Sequence, residues 1–588
     1  MEPGAAHRLE DIVTKAMLKL SVLALLAVGA CLPDNTVGSP TGGGASGTAA
    51  PGGNGMTTGG GGGGQSPGVG GTAGAGGTTG AAGSIGGATG AGSTPSGLAG
   101  RGGAGTGTSG RGGASSGGTG TSAGTSGGGG RGGTGGGAGG ATGGAAGGDD
   151  FVASVSITVH PQTATILVVT WTQAKAADQT WLEFTFTGGS LMTSRPAAGA
   201  TGAHRDVVLG VPASTAITVR IVNKLGGVDY KTKDYLGMTG ALPSGMPKPT
   251  VSMYDPALAS PDRWLFGAVE NSKGGCNNIS CYYTQIFWLY IIDRQGRVVW
   301  YYADGTSDAT TSFQRIARDG EYIWIERRPF GGSGGHSVLK MTLDRQYSQT
   351  VQVPNLSDCI DVTTDGSLIY DTDPQWELRE LTKAGTNRTI WSCPTAMGSN
   401  FQCYSNTVNW DPVSDSIVMS FPDENTVVQI DRKTGALIGK YGAASGSYTF
   451  DQPNWSFEFQ HFANISSRGT LMVSSHLPGY TKTESPVANK HSFQEWAFDR
   501  TNKKLIQKWI YSDGPEWPMY KGMVILLPNG NYLANYGTGG VIREITPDKK
   551  TVFHVKFDVT TGDDFFNKMV GNNVLINDLY ALNGGGPK

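Results

Sequence analysis

The sequence predicts an all-β protein: a six-bladed β-propeller preceded by a small β-sandwich of immunoglobulin or fibronectin type. Two observations predict it. From 151 to 245, short runs rich in Val, Thr and aromatics alternate with period two between Gly, Pro and Ala turns, the pattern of strands with one buried face. From 250 to 588 one phrase of strands and tight turns recurs six times, and a unit that cannot cover its own faces must pack on its copies.

The chain begins with an export pattern. Lys15 and Lys19 flank Met17, and LSVLALLAVGA runs apolar from 20 to 30 before Cys31. That run is too short to span a bilayer. Val28-Gly29-Ala30-Cys31 matches a lipobox, so residues 1 to 31 read as a signal peptide with its start at Met17 and Cys31 as the lipidated first residue. A lipid there anchors the protein to a membrane without spanning it. Leu32 follows the cysteine, so the aspartate retention signal is absent and the bacterial outer membrane is expected.

Residues 32 to 150 form a tether. They are Gly, Ala, Ser and Thr with little else, and cannot bury enough apolar surface to offset ordering entropy. A flexible coil of this length spans on the order of 60 Å. Its RGG triplets at Arg101, Arg111 and Arg131 are isolated and lack interleaved aromatics, which excludes nucleic acid as a partner. A formal net charge of -2 excludes any partner chosen by bulk charge.

The sandwich strands are VASVSITV, ATILVVTW, WLEFTFT, RDVVLGV and TAITVRIVN, with Trp171 and Trp181 as packing residues. PSGMPKPTV at 243 to 251 is the rigid connector. The six repeats follow, with inner turns at Gly320, Gly366, Asp415, Gly469 and Gly530, giving steps of 46, 49, 54 and 61 residues. Cysteine usage fits an oxidising compartment: Cys276 with Cys281 and Cys393 with Cys403 are candidate disulfides, leaving Cys359 as a buried or reactive thiol. No cluster has metal-ligand spacing, and no cofactor is called for. Asp365, Asp371 and Asp373 read as turn acids rather than a calcium loop. His336, His476 and His491 read as structural or exposed.

The candidate site centres on His461, in FEFQHF at 457 to 462, where a repeat opens toward the expected central channel. With CYSNTVNWDP at 403 to 412, ENTVVQIDRKTGALIGKYG at 424 to 442 and LLPNGNYLANYGTGGVIREITP at 526 to 547, this segment resembles the bacterial arylsulfotransferases, over about 250 to 580. The resemblance implies transfer of sulfate from a phenolic ester to a phenol, with His461 as nucleophile through a sulfo-histidine. It implies Asn406 as a ligand of a sulfate oxygen. At the family's other support positions stand Tyr404, Pro422 and, in LSDCIDV at 356 to 362, Ser357, Asp358 and Cys359. An ionised Asp358 near a sulfate would repel it, whereas Tyr404 and Lys521 could donate in place of the missing groups, with Arg327, Arg328 and Lys273 as further cations. The expected partners are phenolic small molecules, at the cell envelope. The competing reading is a non-catalytic propeller whose remodelled channel binds a small molecule, a glycan or an envelope protein. Nothing in the sequence sets the oligomeric state.

Overall fold

The computed structural model describes residues 148–271, 286–303, 309–310, 314–316, 321–329, 337–478, 491–512, 521–558 and 569–584. The lipobox with Cys31, the tether up to residue 147, Cys276, Cys281, Lys273, Gly320 and His336 lie outside the described residues.

The N-terminal part has two sheets. One pairs Val152–Val159, Leu167–Gln173 and Gly202–Val208; the other is built on Ala177–Phe186 and Ala216–Leu225, with short strands on either edge. Alternation puts Leu167, Val169 and Trp171 of one sheet against Leu182, Phe184, Val219 and Ile221 of the other, in one buried cluster.

The rest is a β-propeller. The described residues from 248 onward form six sheets, antiparallel except for the short edge strand Thr449–Phe450, which pairs parallel to Lys504–Tyr511. Sheet I takes Trp264–Asn271, Ile286–Asp293 and Val298–Ala303, with Val570–Ile576 as its inner strand. Sheet II has inner strand Gln314–Ile316, sheet III Leu356–Val362, sheet IV Thr407–Asp411, sheet V Glu458–Ile465 and sheet VI Gly522–Leu526. These strands touch in order from II to VI, and the inner strand of sheet I touches both sheet II and sheet VI, which closes the ring. Both ends of the propeller segment take part in closure. Lys248–Tyr254 pairs as the outermost strand of sheet VI, and Val570–Ile576 as the innermost of sheet I.

The repeat has a physical reason at two positions. The hairpin leaving each described inner strand from III to VI needs a left-handed residue, supplied by Gly366, Asp415, Gly469 and Gly530 with φ from 48° to 89°. In the third strand of sheets III to VI, the residues opposite Ile369, Val418, Met472 and Leu533 are Glu380, Gln429, Glu495 and Glu544, all buried. Each is satisfied by hydrogen bonds: Glu380 pairs with Arg432 of sheet IV, Glu495 accepts from Tyr532 of sheet VI, and Glu544 pairs with Arg294 beside sheet I. Gln429 instead uses Ser416 and Tyr441 of its own sheet. A buried acid at this position therefore latches one sheet to the next.

Candidate functional site

The sequence-predicted site residues fall at the starts of neighbouring inner strands. Asp358 is on the inner strand of sheet III, with its side chain outside the described residues. Tyr404 and Asn406 immediately precede the inner strand of sheet IV, His461 is the fourth residue of that of sheet V, and Lys521 immediately precedes that of sheet VI.

His461 is half-buried and pairs with Ser474 in the ladder of sheet V. The strand that carries it is irregular. Its register shifts on both sides of His461, and Phe459 and Phe462 have φ of 45° and 50°. Two bulky residues in the left-handed region are costly, of order 1–3 kcal/mol each, and persist only where the surroundings over-determine them.

Those surroundings come from sheet IV. Asn406 donates its Nδ2–H to the Gln460 carbonyl at 2.8 Å, and Thr407 Oγ1 accepts the Phe462 N–H at 2.8 Å. Asn409 donates to the Ala463 carbonyl at 2.7 Å, and Asn425 Oδ1 accepts the Phe459 N–H at 3.0 Å. The Gln460 amide reaches back to the carbonyls of Phe421 and Thr426, both at 3.0 Å. Asn406 is thus buried, with an amide hydrogen committed to backbone.

Behind His461 stands a group that sequence reasoning passed over. His476 pairs with His491 across the next two strands, their rings 5.9 Å apart, and Ser474 Oγ lies 2.9 Å from His491 Nε2. Both histidines are buried, so His461 is the partly open member of three. Complete burial pushes the His491 imidazole well below its ordinary range, and His476 and His461 push the same way. It is therefore neutral near pH 7. The signal was present in the sequence: one histidine ends a strand and the other begins the next, so hairpin pairing must set them opposite.

Gly522 opens sheet VI against this group. A Cβ there would lie 2.1 Å from Ser474 Oγ and 3.3 Å from His491 Nε2, so any side chain would push the Ser474 hydroxyl off His491. Lys521, half-buried with φ 64°, points its ammonium at Phe287 of sheet I, 5.5 Å from the ring centroid. A second cation, Arg543, lies 5.2 Å over the Tyr536 ring and donates to the Tyr511 hydroxyl at 3.2 Å; Tyr536 is 6.1 Å from His491.

Tyr404 is 41% exposed and meets Trp376 edge-on at 6.3 Å. Its backbone is fixed on one side by the Cys393–Cys403 disulfide and on the other by Ser405, which donates to Asp371 Oδ2 at 2.5 Å. Asp371 also accepts the Cys359 N–H at 2.9 Å, so it joins sheets III and IV rather than shaping a turn. Asp365 does shape its turn, through Thr363 and Ser367, and pairs with Arg432. Cys359 is buried, and Pro422 is buried in the 3-10 turn Pro422–Glu424. Arg327 is half-buried in Ile323–Pro329 of sheet II, and the Arg328 side chain lies outside the described residues. Among the described residues no group of His, Cys, Asp or Glu could hold a metal ion.

No protein-family model matches the chain, and no curated protein matches it. Among solved structures it is similar to virginiamycin B lyase from Staphylococcus aureus, 11% identical over 42% of this chain and 70% of that one, with a TM-score of 0.28. It is similar also to a Bacteroides fragilis protein assigned as a 6-phosphogluconolactonase, 14% identical over 65% and 98% with a TM-score of 0.33. A third is the calcium-binding regucalcin of Agrobacterium tumefaciens, 13% identical over 45% and 80% with a TM-score of 0.25. These likenesses extend no further than β-propeller architecture.

Proposed function

We propose that the chain is an exported, lipid-anchored transferase that moves sulfate from a phenolic sulfate ester to a phenol through His461. On this reading the six sheets are its blades, the N-terminal sheets are a sandwich-type accessory domain, and Cys31 holds it to the outer membrane of a bacterial envelope. The imidazole nitrogen bonds to sulfur as the S–O bond to the aryl group breaks and a phenolate leaves. The oxygen of a second phenol then bonds to sulfur as the S–N bond breaks, its proton passing to solvent in balance with the one the released phenolate takes up, and the neutral imidazole is restored.

The observation that carries the reading is the presentation of His461. It is the partly open imidazole of a three-histidine group, at the start of an inner strand, with half-buried Phe459 and Phe462 beside it and exposed Tyr404 before the neighbouring strand. Aromatic surface suits an aryl group. Lys521 and Tyr404 are the groups proposed to support sulfate oxygens, by analogy with other transfers in which positioning and charge do the chemistry. The second reading, a binding propeller, is favoured by Pro422, which stands in a buried turn at one of the support positions that the resemblance implies and has no side-chain donor.

The test is to incubate the full chain with a chromogenic aryl sulfate and excess phenol beside His461→Ala. Phenol release that requires His461, with a sulfo-protein mass trapped when acceptor is withheld, supports the transferase. Absence of turnover and adduct across a panel of aryl sulfates, from folded protein, moves the reading to binding.

A further inference from the structure

The inner strands of the propeller share one ring-building contact. Asp361 of sheet III accepts the Trp410 N–H at 2.7 Å, Asn409 of sheet IV donates to the Ala463 carbonyl at 2.7 Å, and Asn464 of sheet V donates to the Val524 carbonyl at 2.9 Å. The three occupy equivalent places, two or three residues before the inner turn begins. This contact recurs between sheets III and IV, IV and V, and V and VI.

Between sheets IV and V the joint is thickened. Asn406 and Thr407 add two contacts to Gln460 and Phe462, the residues on either side of His461, and Asn425 adds a third at Phe459. Gln460 returns two hydrogen bonds to the backbone of sheet IV. All of these act on the stretch whose own ladder is interrupted, with Glu458, His461 and Asn464 its only paired residues before Ile465 among those described. The left-handed Phe459 and Phe462 lie within it.

We propose that Thr407, with Asn406 and Asn425, is positioning machinery for His461, so that sheet IV rather than the ladder of sheet V sets where the imidazole stands. This rests on His461 as the reacting group. Its physical logic is that a side chain on an irregular strand has no default orientation; the two donor–acceptor contacts flanking it fix the peptide planes before and after it, and hence the direction of its Cα–Cβ bond. Thr407 is the sharpest probe, because its Oγ1 accepts the N–H of Phe462, one of the two left-handed residues, and Val is nearly its isostere.

The test compares Thr407→Val, Thr407→Ser and, as a control for loss of the ordinary ring contact, Asp361→Ala, all in the full chain. Three quantities are measured: the single-turnover rate of sulfo-protein formation with its donor dependence, the rate of His461 carbethoxylation by peptide mass, and the unfolding midpoint. A misplaced nucleophile loses on the order of a hundredfold in rate. Thr407→Val is expected to show such a fall with the donor KM little changed, and a several-fold change in His461 carbethoxylation. Thr407→Ser restores both, while Asp361→Ala lowers the midpoint and moves neither. Thr407→Val matching wild type in carbethoxylation, or behaving as Asp361→Ala does, overturns the proposal. If wild type forms no sulfo-protein, the transferase reading fails, and the carbethoxylation comparison alone still decides whether sheet IV positions His461.

Discussion

His491 illustrates how a single residue here is defined by what surrounds it. Its imidazole is buried among Ser474, His476 and the backbone of Gly522, and burial holds it neutral. In the unfolded chain a histidine titrates near about 6.5. Below that pH the unfolded state binds a proton that the folded state refuses, so stability is full above about pH 6.5 and falls as pH drops toward the lowered folded value. The slope from this one group is at most about 1.4 kcal/mol per pH unit. Wild type should therefore lose more of its denaturation free energy between pH 7.5 and 5.5 than His491→Gln does; equal losses in urea titrations would show that His491 is not the group responsible. At this scale the sequence disclosed the inner-turn glycines, because φ above zero selects them. It did not disclose Thr407 or Asn425. Their hydrogen bonds depend on the register between two sheets, which a pattern within one repeat does not carry.

Between sheets, a buried acid on the third strand of sheets III, V and VI makes the latch to the next sheet. Glu544 accepts from Asn531 at 2.8 Å and from the Ser260 N–H, and Arg294 pairs with it at 3.1 Å while also donating to the carbonyls of Ser260 and Asp262. Both side chains are almost wholly buried, at 4% and 0% exposure. Removing one partner of such a pair leaves an uncompensated charge and costs about 3–5 kcal/mol. Arg294→Ala should lower the unfolding free energy by about that much, and the double variant Arg294→Met with Glu544→Leu should recover only part of it, because Asn531, Ser260 and Asp262 then lose their partners; calorimetry on the three proteins checks this. The position is legible once the repeats are aligned on their inner turns, as the acid three to five residues before the outer turn of a repeat, in LRELT and VIREIT. Its partner is legible in part: Arg294 and Arg432 each follow the third strand of their sheet, in the phrases IIDRQG and QIDRKTG, whereas Tyr532 comes from the second strand of sheet VI.

Across the whole molecule, the N-terminal sheets and the propeller share a core. Ile166, Val207 and Leu209 pack in one buried cluster with Trp264, Phe266, Trp300 and Leu579. Tyr580 completes the seam: its hydroxyl donates to the Val207 carbonyl at 2.9 Å and accepts the Leu209 N–H at 3.2 Å. A seam built this way makes the two parts unfold together. Scanning calorimetry is expected to give one transition, and Tyr580→Phe, which strips a buried N–H and C=O of their partner, should lower that transition by about 1–3 kcal/mol without splitting it; two resolved transitions in the wild type would refute a shared core. The alternation and the repeat spacing disclosed the all-β propeller architecture, but Tyr580 reaches Val207 across nearly the whole propeller in sequence, beyond the reach of any local pattern. The closure of the ring carries a consequence for how the protein comes into being. The strand that completes sheet I, Val570–Ile576, lies roughly 270 residues after the other three strands of that sheet. Until it pairs, those three strands carry an unpaired inner edge wherever the chain folds. That edge is a template for any passing strand, so the yield of native protein is decided by a race between ring closure and aggregation.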